Sequence, residues 1–208
     1  SDHPLALTLA ALAVLPLIVV VWRFRHTVSL DAYAVRAGAD APLVSVIIPA
    51  RDEAHNIARC VRSIAASGYT PLEVIVVDDG STDNTFAESK RAARSRKQIK
   101  AFRLSDNAGK GASLFHGFSQ ASGDIIVFFD SDLEIAPQYI LKLLTVMQKQ
   151  KADAVAGVKD PATNRFPAPR RLMSAIYKNT VRFLFDLSIT DTQTGIKIFK
   201  REVLENAI

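Results

Sequence analysis

The pattern of hydrophobic and polar positions beyond residue 42 alternates between two kinds of segment. Short, nearly continuous apolar runs are typical of strands that are buried on both faces of a sheet. They predict strands over 43–49, 72–77, 99–104, 125–129, 154–158 and 196–199. The segments between them predict helices over 54–65, 111–121, 137–149 and 170–186, with a more polar one ending near 96. Strands that alternate with helices indicate an α/β fold with a mostly parallel central sheet and helices on both faces.

The start of the chain carries a different pattern. No Asp, Glu, Lys or Arg occurs between Asp2 and Arg23, and about 20 apolar residues are enough for a helix to cross a membrane. Trp22 is placed as an interfacial anchor and Arg23 and Arg25 follow it, which predicts a cytoplasmic side after the span. A cleaved signal peptide is disfavoured because no Lys or Arg precedes the apolar run. The predicted organisation is one transmembrane anchor over 1–26, a juxtamembrane linker over 27–42 and an α/β domain over 43–208.

Composition narrows the class of protein. The chain has 208 residues, of which 49% are hydrophobic and 23% are charged, and these values exclude a disordered or collagen-like chain. The single cysteine, Cys60, excludes an internal disulfide framework and a multi-cysteine zinc site. Cys60 is predicted to be a packed core thiol. His116 has no matching metal partner and is also predicted to be structural.

The formal net charge is +5, and basic residues cluster between Lys90 and Lys100 with no acidic residue among them. Two interpretations of this basic stretch stay open, a solvated helix face and a surface attracted to anionic lipid. It contains no interleaved aromatic residues and no known motif, so no nucleic-acid partner is predicted. The sequence predicts no particular oligomeric state.

Polar clusters directly follow three of the predicted strands, at 51–53, 78–81 and 130–132. In open α/β sheets, ligands bind outside the carboxyl ends of the strands. Acids that cluster there repel one another unless a cation or a donor-rich ligand offsets their charge. Helix capping explains part of the pattern and is predicted for Ser81 and Asp83. The three clusters together predict a ligand site at this edge of the sheet.

Asp130 and Asp132 place two carboxylates at the mouth of the predicted sheet, and Glu134 follows as a candidate third ligand. Two carboxylates together with substrate phosphates are the usual way to hold a hydrated Mg²⁺ or Mn²⁺. Such a cation neutralises the charge that develops on a diphosphate leaving group. These three residues are therefore the predicted metal ligands.

Basic residues supply candidates for phosphate recognition. Lys110 stands in the segment NAGKG, over 107–111, which brings a cation and free amides together. The segment is not a P-loop because Leu104 occupies the position where that motif needs glycine. No Gly-x-Gly-x-x-Gly segment follows the first strand, which disfavours a dinucleotide fold. Guanidinium groups bind phosphate through two parallel hydrogen bonds, and the predicted acceptor-phosphate residues are Arg165, Arg170 and Arg171.

Five segments, in this order, resemble the inverting GT-A glycosyltransferases of family 2. They are VSVIIPARDE (44–53), LEVIVVDDGSTDNT (72–85), NAGKGAS (107–113), GDIIVFFDSDLE (123–134) and DTQTGIKIFKREVL (191–204). The likeness covers residues 43–206 and extends to polyprenyl-phosphate sugar transferases of the dolichyl-phosphate mannose synthase and glucosyltransferase type. It implies a GT-A fold, a nucleotide-sugar donor and a lipid-phosphate acceptor. Relatives usually continue beyond the last segment, so the resemblance also implies further residues on the acceptor side.

The resemblance implies a role for each matched residue. Residues implied to bind the nucleotide sugar are Pro49, Ala50, Glu53, Asp79, Lys110 and Asp130. Asp130 and Asp132 match the metal-binding pair, while Glu134 stands where relatives often have Gln. Residues implied to be catalytic are Asp130, Asp132, Asp191 and Gln193, the last two from the motif that lines the sugar and acceptor pocket. Asp52 replaces the Asn that usually precedes this Glu, a change expected to be tolerated.

The expected function is that of a metal-dependent hexosyltransferase, anchored in a cell membrane with its catalytic domain on the cytoplasmic face. UDP-glucose is the favoured donor, and GDP-mannose and UDP-N-acetylglucosamine stay open. The oxygen of a lipid phosphate is largely anionic near neutral pH, since the second pKa of a phosphate is about 6. Arginines that position this phosphate then matter more than a strong base. A hydroxyl acceptor needs a carboxylate base, for which Asp191 is the candidate.

Three alternatives stay open at this point. The same fold could act on a hydroxyl of a glycolipid or polysaccharide. The chain could also be a degenerate, non-catalytic membrane subunit, although Asp79, Lys110, Asp130 and Asp132 are all intact. A haloacid-dehalogenase-type phosphatase also has an Asp-x-Asp motif at a strand end, but it needs Thr or Val where this chain has Glu134.

Overall fold

The structure is a computed structural model that describes residues 41–94, 96–157 and 195–207. Its elements are β1 (Val44–Ala50), α1 (Ile57–Ala65), β2 (Leu72–Asp78), α2 (Thr85–Ala93), β3 (Ile99–Arg103), α3 (Lys110–Gln120), β4 (Ile125–Phe129), α4 (Gln138–Gln150), β5 (Ala154–Ala156), β6 (Ile196–Lys200) and α5 (Arg201–Glu205). The predicted anchor, the predicted helix over 170–186 and all but the end of the predicted linker lie outside these ranges. Within them, no helix is both long and apolar enough to span a membrane.

The predicted strands and helices that fall in the described ranges are confirmed, with small shifts at their ends. α1 begins at Ile57 rather than at residue 54, because the backbone amides of Glu53 and Ala54 bond to side chains of the next loop. The short helix α5 was not predicted. The guanidinium of Arg201, its first residue, donates to the carbonyl oxygens of Ala121 and Gly123 and so ties α5 to the end of α3.

The strands of the described ranges form one sheet in the order β3-β2-β1-β4-β6-β5. β1 is parallel to both of its neighbours, with Val46 beside Val74 and Val127, and β3 is parallel to β2. β6 runs antiparallel to β4 and β5. The α/β fold with a mostly parallel sheet is therefore confirmed. We call the edge where β1 to β4 end the carboxyl edge, and the edge where they begin the amino edge.

Hydrophobic clusters cover both faces of the sheet because its central strands are apolar at nearly every position. On one face, side chains such as Val46 and Ile48 pack with α1 and α4. On the other face, α3 packs over a smaller cluster of Ile47, Ile75, Val77 and Ile126. Gly117 allows α3 to approach, since a Cβ at this position would overlap the Ile47 side chain. Each fully buried aliphatic side chain stabilises the fold by roughly 1.5–3 kcal/mol.

A buried carboxylate, Glu73, organises the amino edge. Its oxygens accept hydrogen bonds from the Ser45 hydroxyl (2.5 Å), from the amide and hydroxyl of Ser122 (2.5 and 2.9 Å) and from the Lys100 ammonium (3.1 Å). The Ser45 hydroxyl in turn accepts from the amide of Gly123 at 2.7 Å. Burial raises the pKa of Glu73, but these hydrogen bonds outweigh it and lower the pKa to about 2. Glu73 therefore joins β1, β2 and the turn before β4.

The basic stretch also lies at the amino edge. It covers the end of α2 and the start of β3, whose first residue, Ile99, pairs with Val74. The Lys90 ammonium lies 5.6 Å from the centre of the Phe86 ring, and Arg91 pairs with Glu88 at 2.9 Å. Two of the basic side chains thus interact with residues of their own helix.

Candidate functional site

A cavity of about 370 Å³ opens at the carboxyl edge, above the ends of β1, β2 and β4. Its walls are Pro49, Ala50, Arg51, Glu53, Asp79, Asn107, Gly109, Lys110, Asp130, Ser131 and Asp132. Every residue that the sequence assigned to the nucleotide sugar is among them. The structure therefore brings together residues that are up to 83 positions apart in the chain, from Pro49 to Asp132. Parallel strands produce this convergence because their carboxyl ends share one edge of the sheet.

Two loops that contribute to the cavity wall, 51–56 and 79–84, are held together through Asp52. Its amide donates to the Ser81 hydroxyl at 3.0 Å, and its carboxylate accepts from the Thr82 amide at 2.9 Å. The bond from the Thr82 backbone lowers the pKa of Asp52. Asp52 has a φ of 52°, a left-handed conformation in which Asp and Asn are enriched. Both residues can accept the Thr82 bond, which agrees with the tolerance predicted for Asp at this position.

Asp83 fastens the same two loops at a second point. Its carboxylate accepts from the amides of Ala54 (3.1 Å) and Thr85 (2.9 Å), and Thr85 in turn accepts from the Glu53 amide at 2.8 Å. Burial raises the pKa of Asp83, but the bonds from Thr85 and Ala54 outweigh it and lower the pKa. The predicted helix cap is wrong for Ser81, whose hydroxyl bonds to Asp52 and Asp78 instead. Asp83 does cap α2, because its carboxylate accepts from the amide of Thr85, the first residue of that helix, although the N-cap residue itself is Asn84, without a side-chain bond.

Asp78 and Asp79 have different environments although they are adjacent. Asp78 is fully buried, accepts from the Ser81 hydroxyl and lies 3.2 Å from the Arg103 guanidinium. Asp79 is 4% exposed and lines the cavity. Its carboxylate accepts from the amides of Ala108 (2.8 Å) and Gly109 (3.0 Å). Asp79 thus holds the loop that presents Lys110.

Lys110 and Asp130 form an ion pair in the wall of the cavity. The Lys110 Nζ lies 2.5 Å from the Oδ1 of Asp130, and the side chains are 57% and 31% exposed. Asp130 is fixed from the other side by Gly195, whose carbonyl accepts from the Asp130 amide at 2.9 Å. A Cβ on Gly195 would lie 2.8 Å from the Oδ2 of Asp130. Glycine at position 195 therefore leaves room for this carboxylate.

The residues of the cavity fit a divalent cation. Asp130 and Asp132 both line it, and the ammonium of Lys110 already stands as a cation against Asp130. The part of the chain that the structure describes holds no group of three or more His, Cys, Asp or Glu side chains arranged around one metal position. Mg²⁺ and Mn²⁺ suit such a site because they take one or two carboxylates and complete their shell with phosphate oxygens and water.

Glu134 lies beside the main cavity rather than in it. It lines an adjoining space of about 10 Å³, together with Asp130, Asp132 and Gly195. Its amide donates to the Oδ1 of Asp132 at 3.0 Å. The loop after β4 thus fixes Asp132 through its own backbone. The roles of Glu134 and of the aspartate pair as metal ligands stay predictions.

Cys60 lies beneath the site and is fully buried, as predicted for a core thiol. Its thiol approaches the carbonyl oxygen of Asp130, with the sulfur 3.9 Å from that oxygen. Burial, followed by the charges of Asp132 and Glu53, raises the pKa of this thiol to about 12. It is therefore protonated and unreactive near neutral pH. His116 contacts Phe102, with ring centres 5.5 Å apart, which agrees with a structural role.

Several predicted site residues lie outside the described ranges, namely Asp191, Gln193, Arg165, Arg170 and Arg171. Conversely, Arg51, Asn107, Gly109 and Ser131 line the cavity without having been singled out. Each stands beside a predicted residue in the same strand-end cluster or in the NAGKG segment. Position within these clusters is the sequence signal that could have found them.

Several known glycosyltransferases are similar to this chain in sequence. Glycosyltransferase AglD of Haloferax volcanii is 32% identical over 189 residues, which are 87% of this chain and 30% of AglD. Dolichol-phosphate mannosyltransferase of Pyrococcus furiosus is 31% identical over 168 residues, or 78% of this chain and 47% of that protein. An undecaprenyl-phosphate 4-deoxy-4-formamido-L-arabinose transferase of Pseudomonas paraeruginosa is 30% identical, with coverages of 78% and 48%. The chain thus spans half or less of the length of these relatives.

The fold has solved counterparts. A mannosyltransferase of Pyrobaculum calidifontis, PcManGT, in complex with GDP-Man and Mn²⁺ superposes with a TM-score of 0.62 at 23% identity, covering 99% of this chain and 58% of that one. This likeness, with the sheet order above, shows a GT-A-like α/β fold. The model of the family described as Glycosyl transferase family 2 matches residues 45–207. The chain therefore belongs to glycosyl transferase family 2.

Proposed function

We propose that the chain carries the catalytic domain of a membrane-anchored, inverting glycosyltransferase that moves a hexose from a nucleotide sugar to a polyprenyl phosphate. The proposal is carried by the cavity of about 370 Å³ at the carboxyl edge, which Asp79, Lys110, Asp130 and Asp132 all line. The names of two relatives, a dolichol-phosphate mannosyltransferase and an undecaprenyl-phosphate arabinose-derivative transferase, support a lipid-phosphate acceptor.

The two sides of the cavity differ in chemistry, which supports a nucleotide sugar as the donor. Pro49, Ala50 and Glu53 form the wall that continues β1, and they are proposed to hold the nucleoside. Lys110 and Asp130 line another part of the cavity, where an ammonium and a proposed metal ligand suit a diphosphate. UDP-glucose is the favoured donor, and GDP-mannose is the second choice.

The reaction is a displacement at the anomeric carbon. An acceptor oxygen attacks this carbon while its bond to the diphosphate oxygen breaks, so the configuration inverts. Asp130 and Asp132 are proposed to hold a Mg²⁺ or Mn²⁺, which when bound neutralises charge on the leaving diphosphate. Lys110 supplies a second positive charge from the start of α3. A lipid phosphate is already largely anionic near neutral pH, so the chain needs to position it rather than to deprotonate it.

The chain path supports an acceptor side at the same edge. The described chain leaves β5 at Gly157 and returns at Gly195, and the Gly157 amide donates to the Ile196 carbonyl at 3.1 Å. Both points lie at the carboxyl edge because β6 runs opposite to β5. The residues proposed for the acceptor phosphate (Arg165, Arg170 and Arg171) and for the sugar pocket (Asp191 and Gln193) stand between these points in the sequence.

Membrane anchoring belongs to the same proposal. The apolar segment over 4–22 is proposed to cross the membrane once, with Arg23 and Arg25 on the cytoplasmic side. Such an anchor keeps the catalytic domain near a lipid substrate, which cannot diffuse through water.

Transfer of a labelled sugar to a lipid tests the proposal. The full chain in detergent is incubated with Mn²⁺, undecaprenyl or dolichyl phosphate and labelled UDP-glucose, and in parallel with labelled GDP-mannose. We expect label in the extracted lipid with one donor, and loss of this signal in Asp132→Asn. Glu205→Gln, which removes the same charge from the exposed helix α5, is the matched control and should keep the signal. No label in the lipid phosphate with either donor, while a glycolipid or polysaccharide supplied in a parallel reaction is labelled, would contradict the lipid-phosphate acceptor.

A further inference from the structure

The ion pair with Lys110 engages Asp130, a carboxylate that is also a proposed ligand of the metal. One carboxylate oxygen of Asp130, Oδ1, lies 2.5 Å from the Lys110 ammonium. The other, Oδ2, is backed by Gly195, where even a Cβ would lie 2.8 Å away. Asp130 therefore has a cation on one side and backbone on the other, while 31% of its side chain stays exposed. A metal ion that approaches Asp130 meets Lys110.

The backbone at Lys110 is held in place by the loop that precedes it, so the position of the ammonium does not depend on the side-chain conformation alone. Lys110 is the first residue of α3, and Gly109 before it has a φ of 88°. The Gly109 amide donates to the carboxylate of Asp79, a side chain that is 4% exposed. Asp79 thus anchors the start of the helix that carries Lys110. The Lys110 side chain itself is 57% exposed.

Two cations cannot share this carboxylate oxygen without strong repulsion. A Mg²⁺ ion binds a carboxylate oxygen at about 2.0–2.1 Å, so an ammonium 2.5 Å from the same oxygen lies within about 5 Å of the metal. The ammonium must move for the metal to bind well. An incoming diphosphate offers it a place, because it brings negative charge to the same cavity.

We propose that Lys110 is a latch that couples metal binding to nucleotide binding. In the free protein it holds Asp130 and weakens binding of the divalent cation. When a nucleoside diphosphate enters, the Lys110 ammonium moves from Asp130 to the phosphate oxygens. Asp130 is then available to bind the metal. Lys110 is in this respect a positioning residue, and the inference rests on the proposed function. Since coupling between two ligands is reciprocal, the metal strengthens nucleotide binding by the same factor.

Calorimetry of Mn²⁺ binding to the full chain in detergent tests the latch. It is measured without nucleotide and with saturating UDP or GDP, for the wild type, Lys110→Gln and Lys110→Met. Lys97→Gln is the matched control, because it removes the same charge from an exposed position at the amino edge. We expect both Lys110 variants to bind Mn²⁺ at least tenfold more tightly than the wild type without nucleotide. Saturating nucleotide should increase the Mn²⁺ affinity of the wild type. It should also increase that of the two Lys110 variants, but by a factor that is at least tenfold smaller than in the wild type. The control should match the wild type.

Equal Mn²⁺ affinities of the wild type and the Lys110 variants without nucleotide would overturn the latch, as would a gain in Lys97→Gln equal to that in Lys110→Gln. These outcomes leave the proposed function intact, provided that Mn²⁺ still binds with nucleotide. Absence of Mn²⁺ binding in every variant, even with nucleotide, would overturn metal dependence itself and the latch with it. Thermal unfolding of each variant verifies that it is folded.

Discussion

Gly195 shows at the scale of one residue how backbone shapes the site. It follows the predicted sugar-pocket segment, and its Cα faces the carboxylate of Asp130. A methyl group there would lie 2.8 Å from Oδ2 and 3.1 Å from Cγ of Asp130. Since these distances are shorter than van der Waals contact, Asp130 would have to leave its observed position.

We therefore predict that Gly195→Ala weakens Mn²⁺-dependent nucleotide binding by at least tenfold while the protein stays folded. Isothermal calorimetry with nucleotide and Mn²⁺ measures this effect. Gly111→Ala is the matched control, because a Cβ at Gly111 meets nothing within 4 Å. Unchanged affinity in Gly195→Ala would show that Asp130 does not need its observed position.

At the same scale, the sequence pattern predicts which residues belong to the site but not which contacts they make. Lys110, Asp79 and Asp130 were all predicted, because each stands in a polar segment at a strand end or helix start. The bonds from Asp79 to the loop of Lys110 were not predicted, because they join segments that are 29 and 30 positions apart. Such pairings depend on how two loops pack, which a local pattern does not contain.

At the scale of elements, the apolar runs predicted the strands well because β1, β2 and β4 are buried on both faces. The direction of β6 could not be predicted, since an antiparallel strand of this composition has the same pattern as a parallel one. The short helix α5 was missed because its position depends on Arg201 and the distant end of α3. Local pattern thus predicts elements, and tertiary contacts decide their pairing.

Glu73 gives a testable consequence at this scale, since one carboxylate joins two strands and a turn. Its pKa in the folded protein is about 2, below its usual value of 4.5. Its stabilising effect is therefore fully present above pH 4.5 and is lost as the pH falls towards about 2. We predict that acid destabilises the wild type more than it destabilises Glu73→Gln, which lacks the titrating group. Denaturant unfolding at pH 7 and at pH 3 measures the difference.

At pH 7, Glu73→Gln should be less stable by about 1–3 kcal/mol, the cost of unpaired buried partners. Glu205→Gln, at an exposed position of α5, should change stability by less than about 0.5 kcal/mol. An identical loss of stability between pH 7 and pH 3 in the wild type and Glu73→Gln would contradict this account of the amino edge.

At the scale of the whole molecule, the two edges of the sheet carry different groups of residues. The carboxyl edge holds the cavity, whereas the amino edge holds the Glu73 network and the basic stretch. A seven-residue strand such as β1 separates them by about 20 Å. An anionic membrane bound to the basic stretch would thus contact the edge away from the cavity. The geometry favours the solvated-face interpretation of these basic residues.

Thermal unfolding of the full chain with UDP or GDP, each with and without Mn²⁺, tests whether the cavity at the carboxyl edge is a donor site. We expect that one nucleotide raises the Tm only when Mn²⁺ is present. At a hundredfold excess over Kd the stabilisation is about 2.7 kcal/mol, which for a domain of this size is about 5–10 °C. Asp132→Asn should abolish this rise. No shift with either nucleotide, with or without Mn²⁺, would contradict a donor site at the carboxyl edge.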